Sequence, residues 1–175
     1  MPPIRTNAVA NRWRGTRIMG SDNLVKVVLQ QTYEDGAHPE VETPWAESLG
    51  NDLYQLKNFP FTFYGLSFDD IFEARPCPED DDERPHFVKV VEKSGHKTVR
   101  IILDEPLRES EQSRQILEQL KKFDCGYEGD GYRSFTINIQ PHCDFWEVCH
   151  FLTDSDVDWE HADPTYEELH PQVPG

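Results

Sequence analysis

Thr98-Val99-Arg100-Ile101-Ile102-Leu103 alternates two kinds of side chain. Val99, Ile101 and Leu103 fall on one side of an extended chain, and Thr98, Arg100 and Ile102 on the other. The same alternation returns at Arg133 to Gln140, where Phe135, Ile137 and Ile139 share a face. Between the two, Ser110 is placed to cap a helix running to about Phe123, with Ile116, Leu117, Leu120 and Phe123 along one side. Cys125 to Glu128 reads as a further strand, joined to Arg133 to Gln140 through the hairpin signal Gly129-Asp130-Gly131. A second helix, about Asp144 to Thr153, aligns Phe145, Val148, Cys149 and Leu152, and Val157 to Glu160 supplies a last strand. The order β-α-β-β-α-β predicts a ferredoxin-like split βαβ unit over residues 96–163.

The apolar strand faces should meet the apolar helix sides. The opposite sheet face then carries Thr98, Arg100 and Ile102 from one strand and Ser134, Thr136 and Asn138 from the other, with His96 in the same parity. This second face is either open or covered by the preceding part of the chain. Its polar content suits a recognition surface and equally suits a solvated sheet.

Residues 22–95 read as short strands broken by turns. Leu24 to Thr32, Val41 to Leu49, Leu53 to Leu56, Asp70 to Arg75 and Phe87 to Val91 are extended, with Glu34-Asp35-Gly36 and Gly50-Asn51-Asp52 as turns. That spacing predicts a small β-barrel-like unit, so the whole chain is of the α+β class. Glu79-Asp80-Asp81-Asp82-Glu83 cannot bury itself and reads as a solvated hairpin tip; it lacks the spaced oxygens and glycine of a calcium loop. Residues 1–21 read as a disordered basic leader, with Met1 and Met19 both able to start translation, and 164–175 as an acidic tail.

The chain has 17 Lys and Arg against 33 Asp and Glu. Arg5, Arg12, Arg14 and Arg17 all precede Met19, so from there onward 13 cations face 33 acids, a net charge of about −20. A field of that sign repels phosphate backbones and anionic lipid and draws cationic surfaces. Nucleic-acid binding by the body is disfavoured. The longest apolar stretches, such as Phe59 to Tyr64, are far short of the roughly 20 residues that span a bilayer. Cys77, Cys125, Cys143 and Cys149 follow no signal peptide and no framework spacing, so reduced thiols in a cytoplasm are expected.

The motifs of common catalysts are missing: no Gly-x-Ser-x-Gly elbow, no glycine-rich phosphate loop and no His-Glu-x-x-His. His142, Cys143, Cys149 and His150 look like metal ligands, but a spacing of seven is roughly 10 Å along a helix. One zinc ion, with bonds of about 2.0–2.3 Å, cannot bridge it. No metal and no cofactor is predicted. Acid–base chemistry has one candidate constellation, His96 with Asp69 or Asp70, with Arg100 to hold an anion and Asn58 as a polar contact. The alternative is an ordinary structural hydrogen bond and salt bridge. Trp45, Phe59, Phe61, Phe63, Tyr64 and Phe68 are expected to fill the first core, with any exposed fraction available to a partner.

Four segments carry a resemblance. Glu42-Thr43-Pro44-Trp45-Ala46-Glu47, Leu56-Lys57-Asn58-Phe59-Pro60-Phe61, Tyr64-Gly65-Leu66-Ser67-Phe68-Asp69-Asp70 and Ser94-Gly95-His96-Lys97-Thr98-Val99-Arg100, in that order, resemble a bacterial family known as domain of unknown function 4265. The likeness runs from about Leu24 to Pro164 and leaves the leader uncovered. It implies a bacterial cytoplasmic protein. The second unit is also similar in topology to ferredoxin-like domains of ribonuclease-inhibiting regulators, a likeness of fold that does not carry function.

Three functions fit. The first is an acidic binding or regulatory protein, of inhibitor or immunity type, acting on a basic protein partner, with Asn58, Asp69, His96, Thr98, Arg100, Thr136 and Asn138 as candidate contacts. The second is an enzyme or small-anion sensor using the cleft between the two units around His96 and Arg100. The third is an assembly module that dimerises through the sheet. Partner identity and oligomeric state are not readable from the chain.

Overall fold

The computed structural model describes residues 23–32, 38–79 and 83–171. The leader, the Glu34-Asp35-Gly36 turn, the middle of the acidic run and the last four residues lie outside the described residues. The strands divide into β1 (Leu24–Lys26), β2 (Leu29–Gln31), β3 (Glu40–Glu42), β4 (Trp45–Gly50), β5 (Leu53–Leu56), β6 (Ile71–Pro76) and β7 (Pro85–Glu92), followed by β8 (Lys97–Ile102), α1 (Glu111–Lys122), β9 (Gly126–Gly129), β10 (Ser134–Ile139), α2 (Phe145–Asp154), β11 (Asp158–Asp163) and α3 (Tyr166–Leu169). The class is α+β, mostly strand with three small helices.

β8 and β10 are rich in β-branched residues, which fit a pleated surface. They pair antiparallel at the centre of a four-stranded sheet of order β11-β8-β10-β9. Each flanking helix begins on a local signal. The Ser110 hydroxyl accepts from the Ser113 amide at 3.3 Å, and the Asp144 carboxylate accepts from Trp146 and Glu147 at 2.9 and 3.1 Å. In the β9–β10 connection one Asp130 oxygen accepts from the amides of Tyr132, Arg133 and Ser134, and Gly131 takes a φ of +74° that a side chain would resist. Val99, Ile101, Leu103, Phe135, Ile137 and Ile139 meet Ile116, Leu117, Leu120, Phe145, Val148 and Leu152 in one core, as the alternation predicts.

The first sheet, of order β1-β4-β5-β6-β7, is open; the expected barrel does not close. The physical reason lies at Val27-Val28. Leu24 to Thr32 is two strands, not one: β1 pairs with β4, and β2 swings away to pair with β3 as a separate ribbon. Val28, just past the end of β1, makes an isolated parallel bridge to His86 of β7. Behind this sheet sits a second core of Val27, Leu29, Ala46, Leu56, Phe63, Leu66, Phe72 and Ala74. Residues 164–171, read as the start of a tail, instead continue into α3, which opens with a capping box between Thr165 and Glu168.

Candidate functional site

Residues 57–70, the link between β5 and β6, run between the two sheets and serve both. Phe63 and Leu66 enter the first core. Their neighbours cover the helix-free face of the second sheet: the Pro60 carbonyl accepts from Thr136 Oγ1 at 3.3 Å, and the Phe63 carbonyl accepts from the Arg100 guanidinium. Ser67 Oγ lies 2.7 Å from Thr98 Oγ1. The link is held by the Glu42 carboxylate, which accepts from the amides of Phe61, Thr62 and Phe63 at 2.9, 3.1 and 2.8 Å. Asn58 Oδ1 accepts from the Trp45 amide at 2.7 Å.

At the centre of the joint is a cluster of charges. Asp70 is fully buried and accepts from the Ser67 amide, the Ser94 amide and hydroxyl, and Lys93 Nζ at 2.9 Å. Asp163, also buried, accepts from Ser67 Oγ at 2.6 Å and from Lys93 Nζ at 2.7 Å. Burial lifts the Asp163 pKa above the usual carboxylate range, and the bonds from Lys93 and Ser67 only partly offset it. Burial also works against the Lys93 ammonium, but its bonds to Asp163 and Asp70 win and hold its pKa above the usual lysine value. One ammonium thus serves two buried carboxylates.

The sequence candidates fall around this joint. Thr98, Thr136 and Asn138 are buried beneath the link, so that half of the face is covered. Arg100 is 9% exposed, ion-paired to Glu160 at 3.1 Å and stacked 4.5 Å from the Tyr64 ring centre, with its Nε buried and unpartnered. His96 Nδ1 lies 3.0 Å from Asn138 Oδ1, and its ring meets Phe68 edge-on. Asp69 is paired with Lys57 at 2.7 Å. Asp69 and His96 nevertheless line one cavity of about 260 Å³, with Gln55 and Ser94; Asp70 and Arg100 are turned to other partners.

The other end of the same sheet face is uncovered. Ile102 is 49% exposed and Phe61 41% exposed. Two hollows flank Glu160 there. One, about 370 Å³, is lined by Phe61, Arg100, Ile102, Thr136, Asp158 and Trp159. The other, about 640 Å³, is lined by Tyr64, Trp159, Glu160, His161, Tyr166 and Glu167. The sequence places Ile102 on this face with Arg100 and Thr136 and offers Phe61 and Tyr64 only as an exposed aromatic fraction; it does not single out Asp158, Trp159, Glu160, His161, Tyr166 or Glu167. Phe61 was assigned to a core, Trp159 to a bare strand, and Tyr166 to a tail; the usable signal was the β11 alternation, which puts Trp159 and Glu160 on opposite faces. Of the aromatic group, Phe63 is in the first core, while Trp45 is exposed beneath Lys26. Among the described residues no three His, Cys, Asp or Glu side chains gather as metal ligands, and no helix is long and apolar enough to cross a membrane.

The family model described as Domain of unknown function (DUF4265) matches residues 42–162. The chain belongs to this family. The four segments that resemble DUF4265 supply Glu42 and Asn58, which hold the 57–70 link to the first unit, and Ser67, Asp70, Ser94, Thr98 and Arg100, which take part in the joint to the second sheet. A solved structure, described as a novel crystal structure of a hypothetical protein from Neisseria gonorrhoeae, is similar with a TM-score of 0.65 at 13% identity, covering 78% of this chain and 92% of that one. That likeness concerns the fold alone. No curated protein matches.

Proposed function

We propose that this protein is an acidic binding or regulatory protein, of inhibitor or immunity type, acting on a basic protein partner. The observation that carries the reading is the surface around Glu160. Phe61, Ile102, Trp159 and Tyr166 offer apolar and aromatic contact, rimmed by Asp158, Glu160 and Glu167. An apolar centre with a charged rim is the anatomy of a protein interface, and the rim's sign matches the body's charge of about −20. Of the sequence candidates, Arg100 borders this surface; Asn58, Thr98, Thr136 and Asn138 would act through the joint beneath it. The strand order β11-β8-β10-β9 under α1 and α2 supports a ferredoxin-like reading of the second unit. Four free cysteines support a cytoplasmic location.

Binding to candidate basic proteins, measured from low to high salt, tests the reading. The expected result is association that weakens at least tenfold with salt and is lost when Phe61→Ser and Ile102→Thr are combined. Salt-independent binding, or binding untouched by that pair, would count against it.

A second reading, an enzyme or small-anion sensor at His96, has one observation in its favour: Asp69 and His96 share a cavity. It expects His96→Ala and Asp69→Asn to abolish a ligand-dependent signal without lowering stability. Loss of stability instead would mark His96 as a structural partner of Asn138.

A further inference from the structure

We infer that the hollow walled by Tyr64, Trp159 and Tyr166 and edged by Glu160 and Glu167 is a binding site for an organic cation, an alkylammonium or guanidinium group. The inference rests on the reading of a basic partner and says where, and by what chemistry, such a partner is gripped.

The lining decides the ligand's sign. Aromatic ring faces carry negative potential and attract a cation brought within about 6 Å of the ring centre. Three such rings line this hollow, and both charged residues with them are acids; among the described residues no Lys or Arg lines it. His161, the remaining ring, adds no positive charge at neutral pH, because burial and nearby His170 hold its imidazole below the usual histidine range. Its Nδ1 is buried without a hydrogen-bond partner.

The fold already contains the recognition in miniature. Arg100 stacks 4.5 Å from the Tyr64 ring centre and bonds Glu160 at 3.1 Å, while the Tyr64 hydroxyl donates to Glu160 at 2.8 Å. Tyr64 and Glu160 thus already hold one guanidinium, that of Arg100, and a second cation would meet the hollow at Trp159, Tyr166 and Glu167. Tyr166, 59% exposed, and Glu167, also exposed, extend that pair outward from the first turn of α3. A volume of about 640 Å³ has room for the head of a lysine or arginine side chain with the chain that bears it.

The test is an NMR titration of the full chain, following the Trp159 indole and the amides from Glu160 to Glu167. The probes are choline, its uncharged isostere with carbon in place of nitrogen, N-acetyl-arginine amide, and a capped peptide of alternating Lys and Gly. The expected result is saturable shifts with the cations and none with the isostere. Tyr166→Ala and Glu167→Gln, both at exposed positions, should each weaken the cations about fivefold with the circular dichroism spectrum unchanged. Competition between the peptide and choline would assign the cation to a protein side chain; choline binding without peptide binding would assign it to a free small ammonium compound. Equal shifts from the isostere, or shifts that never saturate, overturn the inference. A peptide that binds in a salt-dependent way but leaves Trp159 and Tyr166 untouched overturns this pocket and spares the basic partner. Binding by neither cation nor peptide removes both.

Discussion

Ser67 Oγ lies 2.6 Å from the Asp163 carboxylate, across 96 residues of chain. That bond ties the link leaving the first sheet to the last strand of the second, and Lys93 closes the triangle by bonding Asp163 and Asp70. The two sheets of this DUF4265 protein are thus joined by a charged centre, not by apolar packing alone.

Lys93→Met leaves Asp70 and Asp163 buried without their shared cation. Removing one partner of a fully buried pair costs about 3–5 kcal/mol, and because the Lys93 side chain is half exposed the expected loss is nearer about 2 kcal/mol. Urea unfolding of Lys93→Met, Asp163→Asn and the double variant measures it. A coupling energy below about 0.5 kcal/mol would mean that Lys93 and Asp163 do not act together.

Glu42→Ala removes the acceptor of three consecutive amides, those of Phe61, Thr62 and Phe63. Orphaned donors cost about 1–3 kcal/mol where water cannot replace the carboxylate. Hydrogen exchange should show these amides losing protection well before those of β8 and β10. Unchanged exchange would show that the link is held by Phe63 and Leu66 alone.

Alkali should unfold the protein earlier than its carboxylates or ion pairs would suggest. Burial pushes the Cys125 and Cys149 thiols up to about 12, from an ordinary value of 9.0. The unfolded chain gives up these protons near 9 while the folded chain keeps them. Their contribution is therefore intact below pH 9 and lost progressively between 9 and about 12. Lys93, raised above 10.5, adds to the loss in the upper part of that window. Tm against pH checks this, together with a thiol reagent at pH about 8, which should leave Cys125 and Cys149 unmodified until denaturant is added. A flat Tm through this window would contradict it.

Glu128→Gln should stabilise. Burial raises the Glu128 pKa even though the Phe59 amide and the Asn58 side chain bond its carboxylate, so at neutral pH the folded state carries an ionisation penalty. Because the folded pKa lies above the unfolded one, that penalty fades as pH falls through the folded pKa toward the ordinary glutamate range. The variant should show a higher Tm at neutral pH and no difference near the ordinary Glu value of about 4.3. A lower Tm at neutral pH would show that the negative charge is needed by Asn58.

The second sheet was legible because its signals are local. Alternation with a period of two declares a strand face whatever lies above it, and Ser110 and Asp144 cap their helices through amides two or three residues away. The first sheet was legible only as strands. Leu24 to Leu29 has the apolar content of one strand, and nothing within it announces the break at Val27-Val28 that prevents closure.

For the site, composition and alternation determined the sign of the protein's field and the pairing of Thr98, Arg100, Thr136 and Asn138 on one face. Only the tertiary structure decided that residues 57–70 cover half of that face and leave Ile102, Asp158 and Glu160 at its open end, with Phe61 exposed beside them. The physical reason is distance along the chain. Bonds such as Ser67 to Asp163 or Arg100 to Phe63 join groups that no local periodicity relates, so their polar residues look the same in sequence whether they face water, a ligand or each other.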